Sequence, residues 1–179
     1  MSQNCCVLID TDQNEKAKIN TKTDCCPTCG QKGKKVDSIT IKAMLNVSLL
    51  ALREMPYLFC RTAACPVVYF SADGLQVFTT DQIRVPVYQK KPNDDTVLVC
   101  YCFHHSPTTI RAELLATGTS TVVEAIARGI QADQCACEIR NPQGSCCLGN
   151  VQVILEWVQH ELGAEERGKM KKRKVSNQA

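Results

Sequence analysis

The placing of its cysteines constrains this chain more than any other feature. There are thirteen in 179 residues, and eleven fall in tight groups: Cys25, Cys26 and Cys29; Cys60 and Cys65; Cys100 and Cys102; Cys135 and Cys137; Cys146 and Cys147. The odd total, and an opening MSQNCCVLIDTDQ with neither a basic n-region nor an apolar h-region, argue against a secreted disulfide framework. The expectation is a set of reduced thiols in a cytoplasmic protein, available as metal ligands. No apolar run approaches the roughly 20 residues that cross a bilayer, so a soluble protein is expected.

The chain is long enough for one ordinary domain or two small lobes. The net charge of +3 is concentrated in the closing GKMKKRKVSNQA, where Lys169, Lys171, Lys172, Arg173 and Lys174 crowd together; the body is close to neutral. A nucleic-acid or membrane partner is therefore open only to that tail, whose default reading is a solvated, frayed terminus.

Hydrophobic patterning gives an α+β expectation of a small β-rich lobe followed by a helical lobe, and the cysteine groups taken up below make the first a zinc-bound lobe and the second a 2Fe-2S-binding one. Residues 1–23 read as a loose amino terminus, 24–90 as the zinc-binding lobe, 91–163 as the helical lobe and 164–179 as the basic tail. In SITIKAMLNVSLLALREM, Ile39, Ile41, Leu45, Leu49 and Leu52 fit a strand leading into a short helix. YLFC (57–60), PVVYF (66–70) and LQVFTTDQIRVPVY (75–88) read as an antiparallel sheet. QKKPNDDT (89–96) is the expected linker. Beyond it, Ser106 and Pro107 announce a helix that Gly118 should end. Thr121 and Glu124 have capping-box spacing for a second helix, and a third should begin near Asn150.

Cys26-Pro-Thr-Cys29-Gly has the spacing that turns two thiolates toward one tetrahedral ion. Cys25 competes with Cys26 for the first place, and the two-residue gap favours Cys26. Cys60 and Cys65, at a turn between predicted strands, can close a four-cysteine zinc site; the alternative is that they are buried core cysteines. No basic or aromatic cluster surrounds these pairs, as a nucleic-acid-binding ribbon would need.

The second half holds six thiols in three groups, more than one zinc requires. A 2Fe-2S cluster takes four, and Cys100-Tyr-Cys102 in extended chain presents both sulfurs to one side. Pro142, Gly144 and Gly149 make the distal loop compact, and the amino terminus of the following helix can stabilise an anionic centre. His104 and His105, directly after the first pair, are further ligand candidates for iron or copper, against the simpler role of exposed turn histidines.

VCYCF and CACEIRNPQGSCCLGNV, with CCPTCG and FCRTAACPVVYFS upstream, together resemble the amino-terminal zinc and 2Fe-2S module of CopZ-type copper chaperones, from about residue 24 to about residue 155. The second half is also similar to the ferredoxins associated with bacterioferritin. The resemblance implies Cys100, Cys102, Cys137 and Cys147 as cluster ligands and Cys26, Cys29, Cys60 and Cys65 as zinc ligands. Cys135 and Cys146 compete for the third and fourth cluster positions. Complete chaperones of this type continue into a copper domain with a Met-x-Cys-x-x-Cys loop, whereas this sequence runs into its basic tail.

The implied function is that of a redox metallochaperone or accessory protein, passing single electrons in the handling of copper or a similar soft metal. Its expected partners are an electron donor or acceptor protein and a copper-handling protein or transporter. Cys5 and Cys6 either capture such a metal or are bystanders. The alternatives are a ferredoxin-like electron carrier with no copper role and a purely structural zinc-binding interaction module. No acid/base pair, nucleophile triad, phosphate-cradling loop or dinucleotide fingerprint is present, which leaves at most one-electron metal reduction or electron carriage.

Overall fold

A computed structural model describes residues 24–176, with side chains as far as Ala164. The expected loose amino terminus, Cys5 and Cys6 therefore lie outside the described residues. In chain order the elements are β1 (Lys34–Val36), α1 (Ser38–Met44), β2 (Tyr57–Phe59), β3 (Val67–Ser71), β4 (Val77–Thr79), α2 (Pro107–Thr117), α3 (Val122–Gln131), α4 (Cys137–Arg140) and α5 (Leu148–Ser176). The architecture is α+β, with an antiparallel sheet followed by helices. The described residues form two compact units. One runs to Asp94 and includes Ala136–Ser145; the other holds Asp95–Cys135 and the chain from Cys146 onward. Sequence patterning groups 136–145 with the helical lobe, whereas in the structure its contacts are with the sheet-bearing unit.

In the first unit the four strands form a meander in the order β1-β2-β3-β4. Leu58 stands opposite Phe70, and Phe59 opposite Tyr69. One face of the sheet contributes Tyr57, Phe59 and Tyr69 to a core completed by Ile41, Met44, Leu45, Phe78, Ile83 and Val87. The other face puts Leu58 and Phe70 against Cys26, Cys60, Cys65 and Val67. Both faces are thus covered, and each large side chain taken fully out of water contributes about 1.5–3 kcal/mol. The expected strand at Ile39–Ile41 is instead helix α1. Ile41, Met44 and Leu45 stand at i, i+3 and i+4, so helical winding sends all three into the core, and that burial overrides the β preference of Ile and Thr. The expected strand over 75–88 is cut to β4, because Thr79 and Gln82 form a capping box that opens a 3-10 turn at Thr80–Gln82.

In the second unit Ser106 accepts from the Thr109 amide at 3.3 Å, and Pro107 occupies the first turn of α2. Gly118 ends the helix at φ 74°, where a left-handed residue closes the last turn. The Thr121–Glu124 box does not form. Glu113, from α2, accepts from the Thr121 amide at 3.0 Å and hydroxyl at 2.8 Å, and from the Ser120 hydroxyl at 2.7 Å, which engages the capping hydroxyl. Helices α2 and α3 both pack on α5, burying Ile110, Leu114, Val122, Ile126, Val151 and Val158. Helix α5 starts two residues before the expected Asn150 and continues as helical backbone to Ser176, through most of the basic tail.

Candidate metal centre

The first pair of thiols is presented by a hydrogen-bonded knuckle. The Cys26 amide donates to the Gln31 carbonyl at 2.9 Å, and the Gly30 amide returns to the Cys26 carbonyl at 2.8 Å. Gly30 adopts φ 68°, which lets the chain reverse straight after Cys29. Cys25 sits in a β-bridge with Lys32, and Cys26 is the member of the doublet that joins the sulfur group.

The second pair flanks the β2–β3 connection. The Cys60 amide continues the ladder by donating to the Val68 carbonyl at 2.8 Å. The Cys65 amide donates to the Thr62 carbonyl at 3.2 Å, and Lys90 Nζ reaches the same carbonyl at 2.8 Å, so the loop between the two cysteines is held from both sides.

All four sulfurs, of Cys26, Cys29, Cys60 and Cys65, lie within 4.8 Å of one another. Cys26 and Cys65 are 3.9 Å apart and Cys29 and Cys60 are 3.6 Å apart. Four thiolates about 2.3 Å from a tetrahedral ion would stand about 3.8 Å from each other, so the cage has the size of a zinc or similar soft-metal site with no open position. The electrostatics are unequal. Burial pushes the Cys26 thiol up to about 12 and raises Cys65 as well. Burial also opposes ionisation of Cys29, but hydrogen bonds with the Thr62 hydroxyl, the Gln31 backbone and the neighbouring thiols outweigh it and bring this thiol down to about 7. Thr62, whose hydroxyl lies 3.4 Å from Cys29 Sγ, was not legible in the sequence, since a threonine in a short loop carries no spacing signal.

In the second unit the segment from Cys100 to His105 is a closed turn. The Cys100 and His105 amides exchange bonds with each other's carbonyls at 3.0 and 3.1 Å. His104 reaches φ 59° to complete it. Cys100 is fully buried, and Cys102 follows on the turn with its sulfur 3.9 Å from that of Cys135. Burial holds the His105 imidazole below its usual range, against the opposing pull of Glu113; His104 is exposed. Of the final doublet, Cys146 is exposed and Cys147 is 1% exposed. In the first unit Cys137 is buried at the start of α4.

Residues 23–84 match a family model named for CopZ and described as a zinc binding domain. The chain is also similar to the N-terminal domain of CopZ from Archaeoglobus fulgidus, known from an X-ray structure, at 25% identity over 73% of this chain and 96% of that one, with a TM-score of 0.61. No curated protein matches. The four-sulfur cage thus lies within the stretch that matches a zinc binding domain, in a fold similar to that of the CopZ N-terminal domain. Among the described residues no helix is long and apolar enough to cross a membrane.

Proposed function

We propose that this chain is an iron-sulfur and zinc-binding redox accessory protein or metallochaperone, which transfers single electrons in the handling of copper or a similar soft metal. The observation that carries the reading is the four-cysteine cage, set in a fold similar to the CopZ N-terminal domain over nearly all of that domain's length. Cys26, Cys29, Cys60 and Cys65 hold zinc. A saturated thiolate site of this kind stabilises a lobe whose own core is small.

The remaining thiols fit a 2Fe-2S cluster, since the second half holds six, beyond the set of the zinc cage. Cys100, Cys102, Cys137 and Cys147 would hold it. It would supply a one-electron couple. Burial of Cys100, Cys137 and Cys147 keeps water from their sulfurs, and the hydrogen-bonded turn at Cys100–His105 fixes the first pair. The opposite exposures of Cys146 and Cys147 support Cys147 as the ligand of that doublet, because neighbours on the chain point in different directions. The partners are an electron donor or acceptor protein and a copper-handling protein, met in the cytoplasm.

Anaerobic purification with metal and acid-labile sulfide analysis tests the reading. About one zinc and two irons per chain, with a red-brown chromophore, are expected. Zinc alone without labile sulfide would reduce the protein to a structural zinc module. Titration with Cu(II) then asks whether the reduced protein is oxidised as Cu(I) forms; no reaction would leave a ferredoxin-like carrier.

A further inference from the structure

The segment 136–145 packs as part of the sheet-bearing unit, and it carries Cys137. Tyr69, in the middle of β3 and fully buried, donates its hydroxyl to the Pro142 carbonyl, 73 residues away. Its ring packs edge-on against Phe59 with centroids 6.1 Å apart. Gln89 Nε2 donates to Gln143 Oε1 at 2.9 Å. Gly144, at φ 62°, lies so close to Thr40 that a Cβ there would come within 2.8 Å of Oγ1. Inside the segment Asn141, 1% exposed, returns its amide to the Cys137 carbonyl at 2.9 Å and receives the Gly144 amide on its own carbonyl at 2.8 Å. A continuous path of hydrogen bonds and packing therefore runs from β3, through Pro142 and Asn141, to the backbone of Cys137. The same strand pair bears two of the four cage cysteines: Cys60 follows Phe59, and Cys65 lies two residues before β3.

From this connectivity we propose that Tyr69 is a positioning residue for the Cys137 thiolate, so that the zinc-bearing sheet is the seat on which this iron ligand is held. The inference rests on the cluster reading above. The zinc cage and the iron ligand then share one rigid support, and the hydroxyl of Tyr69 orients the ligand without touching iron.

The experiment compares wild type with Tyr69→Phe, which keeps the ring and removes only the donor, and with Gln143→Ala, which cuts the second tether outside the core. Each protein is measured twice. Zinc-loaded, iron-free protein is examined by amide hydrogen exchange, where Asn141 and Gly144 should exchange about tenfold faster in Tyr69→Phe, the effect of one buried hydrogen bond. Iron-reconstituted protein is examined for its midpoint potential and the g-values of its reduced electron paramagnetic resonance spectrum. Both should move in Tyr69→Phe and move less in Gln143→Ala, with zinc still at about one per chain. Unchanged exchange overturns the tether. Faster exchange with an unchanged potential and spectrum overturns the positioning role, as does loss of zinc from Tyr69→Phe, since the effect would then be general loosening. A wild-type protein that takes up no iron sulfide removes the cluster reading itself, and the exchange arm still decides whether Tyr69 holds the segment.

Discussion

Cys29 Sγ stands 3.6 Å from Cys60 Sγ across 31 residues of chain. Each belongs to a different backbone device, a glycine-closed knuckle and the end of a β-ladder, and an ion bound between them would account for the convergence of all four thiols. Cys60→Ser should therefore abolish stoichiometric zinc. Structural zinc contributes apparent folding free energies of about 10–16 kcal/mol, which equals or exceeds the whole stability of an ordinary domain, about 5–15 kcal/mol. The first unit of the variant should lose its cooperative melt. A sharp melt with no bound zinc would show that the sulfur cage is a plain core.

Serine replacement at each of six cysteines, followed by reconstitution with iron and sulfide, separates ligands from neighbours. Cys100→Ser, Cys102→Ser, Cys137→Ser and Cys147→Ser should lose the reduced-cluster resonance, and Cys146→Ser should keep it because that thiol faces solvent. Cys135→Ser is the sharpest case. Its sulfur lies 3.9 Å from Cys102, so retention of the signal is expected only if Cys137 supplies the third thiolate; loss in Cys135→Ser with retention in Cys137→Ser would reverse that assignment.

Gly129 lies in α3 where an added Cβ would run into the Phe103 ring. Alanine is ordinarily better than glycine in a helix by about 1 kcal/mol, yet overpacking costs about 1–3 kcal/mol. Gly129→Ala should thus be neutral to destabilising by about 2 kcal/mol in denaturant titration. Because Phe103 adjoins Cys102, the variant should also alter the visible spectrum of the reconstituted protein. A gain in stability of about 1 kcal/mol would mean that Phe103 swings away freely.

Glu113 carries a pH dependence of definite sign. Its hydrogen bonds from the Thr121 amide and the Ser120 hydroxyl lead the causes that hold its carboxyl below the ordinary 4.5. A depressed carboxylate adds stability that is fully present above the unfolded value and is lost as pH falls through the folded one. Acid titration of wild type should therefore show the second unit weakening below about pH 4.5 relative to Glu113→Gln, and the difference between the two should flatten toward lower pH. An equal acid response in both proteins would remove Glu113 from the α2–α3 connection.

Much of the second unit is legible residue by residue. Ser106, Pro107 and Gly118 act within one turn of chain, and α2 begins and ends where they stand. Thr121 and Glu124 obey the same local grammar, but Glu113, eight residues earlier, engages the hydroxyl first. Strands β2, β3 and β4 of the first unit were legible from their Val, Phe and Tyr content, whereas β1, with the sequence Lys-Lys-Val, gave no such signal and is recruited by pairing with β2. The alternation within β2 and β3 was not legible, because they are buried on both faces and leave no polar side to mark the period.

What the amino-acid sequence determined by itself is therefore what acts over a few bonds: the knuckle at Cys26-Pro-Thr-Cys29-Gly, the caps of α2, and the supply of thiols in close pairs. Their energies depend on neighbours that the chain cannot separate. Tertiary structure alone decided that Cys60 and Cys65 close on the knuckle, that Ile39–Ile41 winds into helix, that Cys102 meets Cys135 and that 136–145 is clamped by Tyr69. The helix is decided by what its buried face packs against, and the other three are contacts between residues 31 to 73 apart, where loop-closure entropy must be offset by burial or by a bound ion; that balance exists only in the assembled fold.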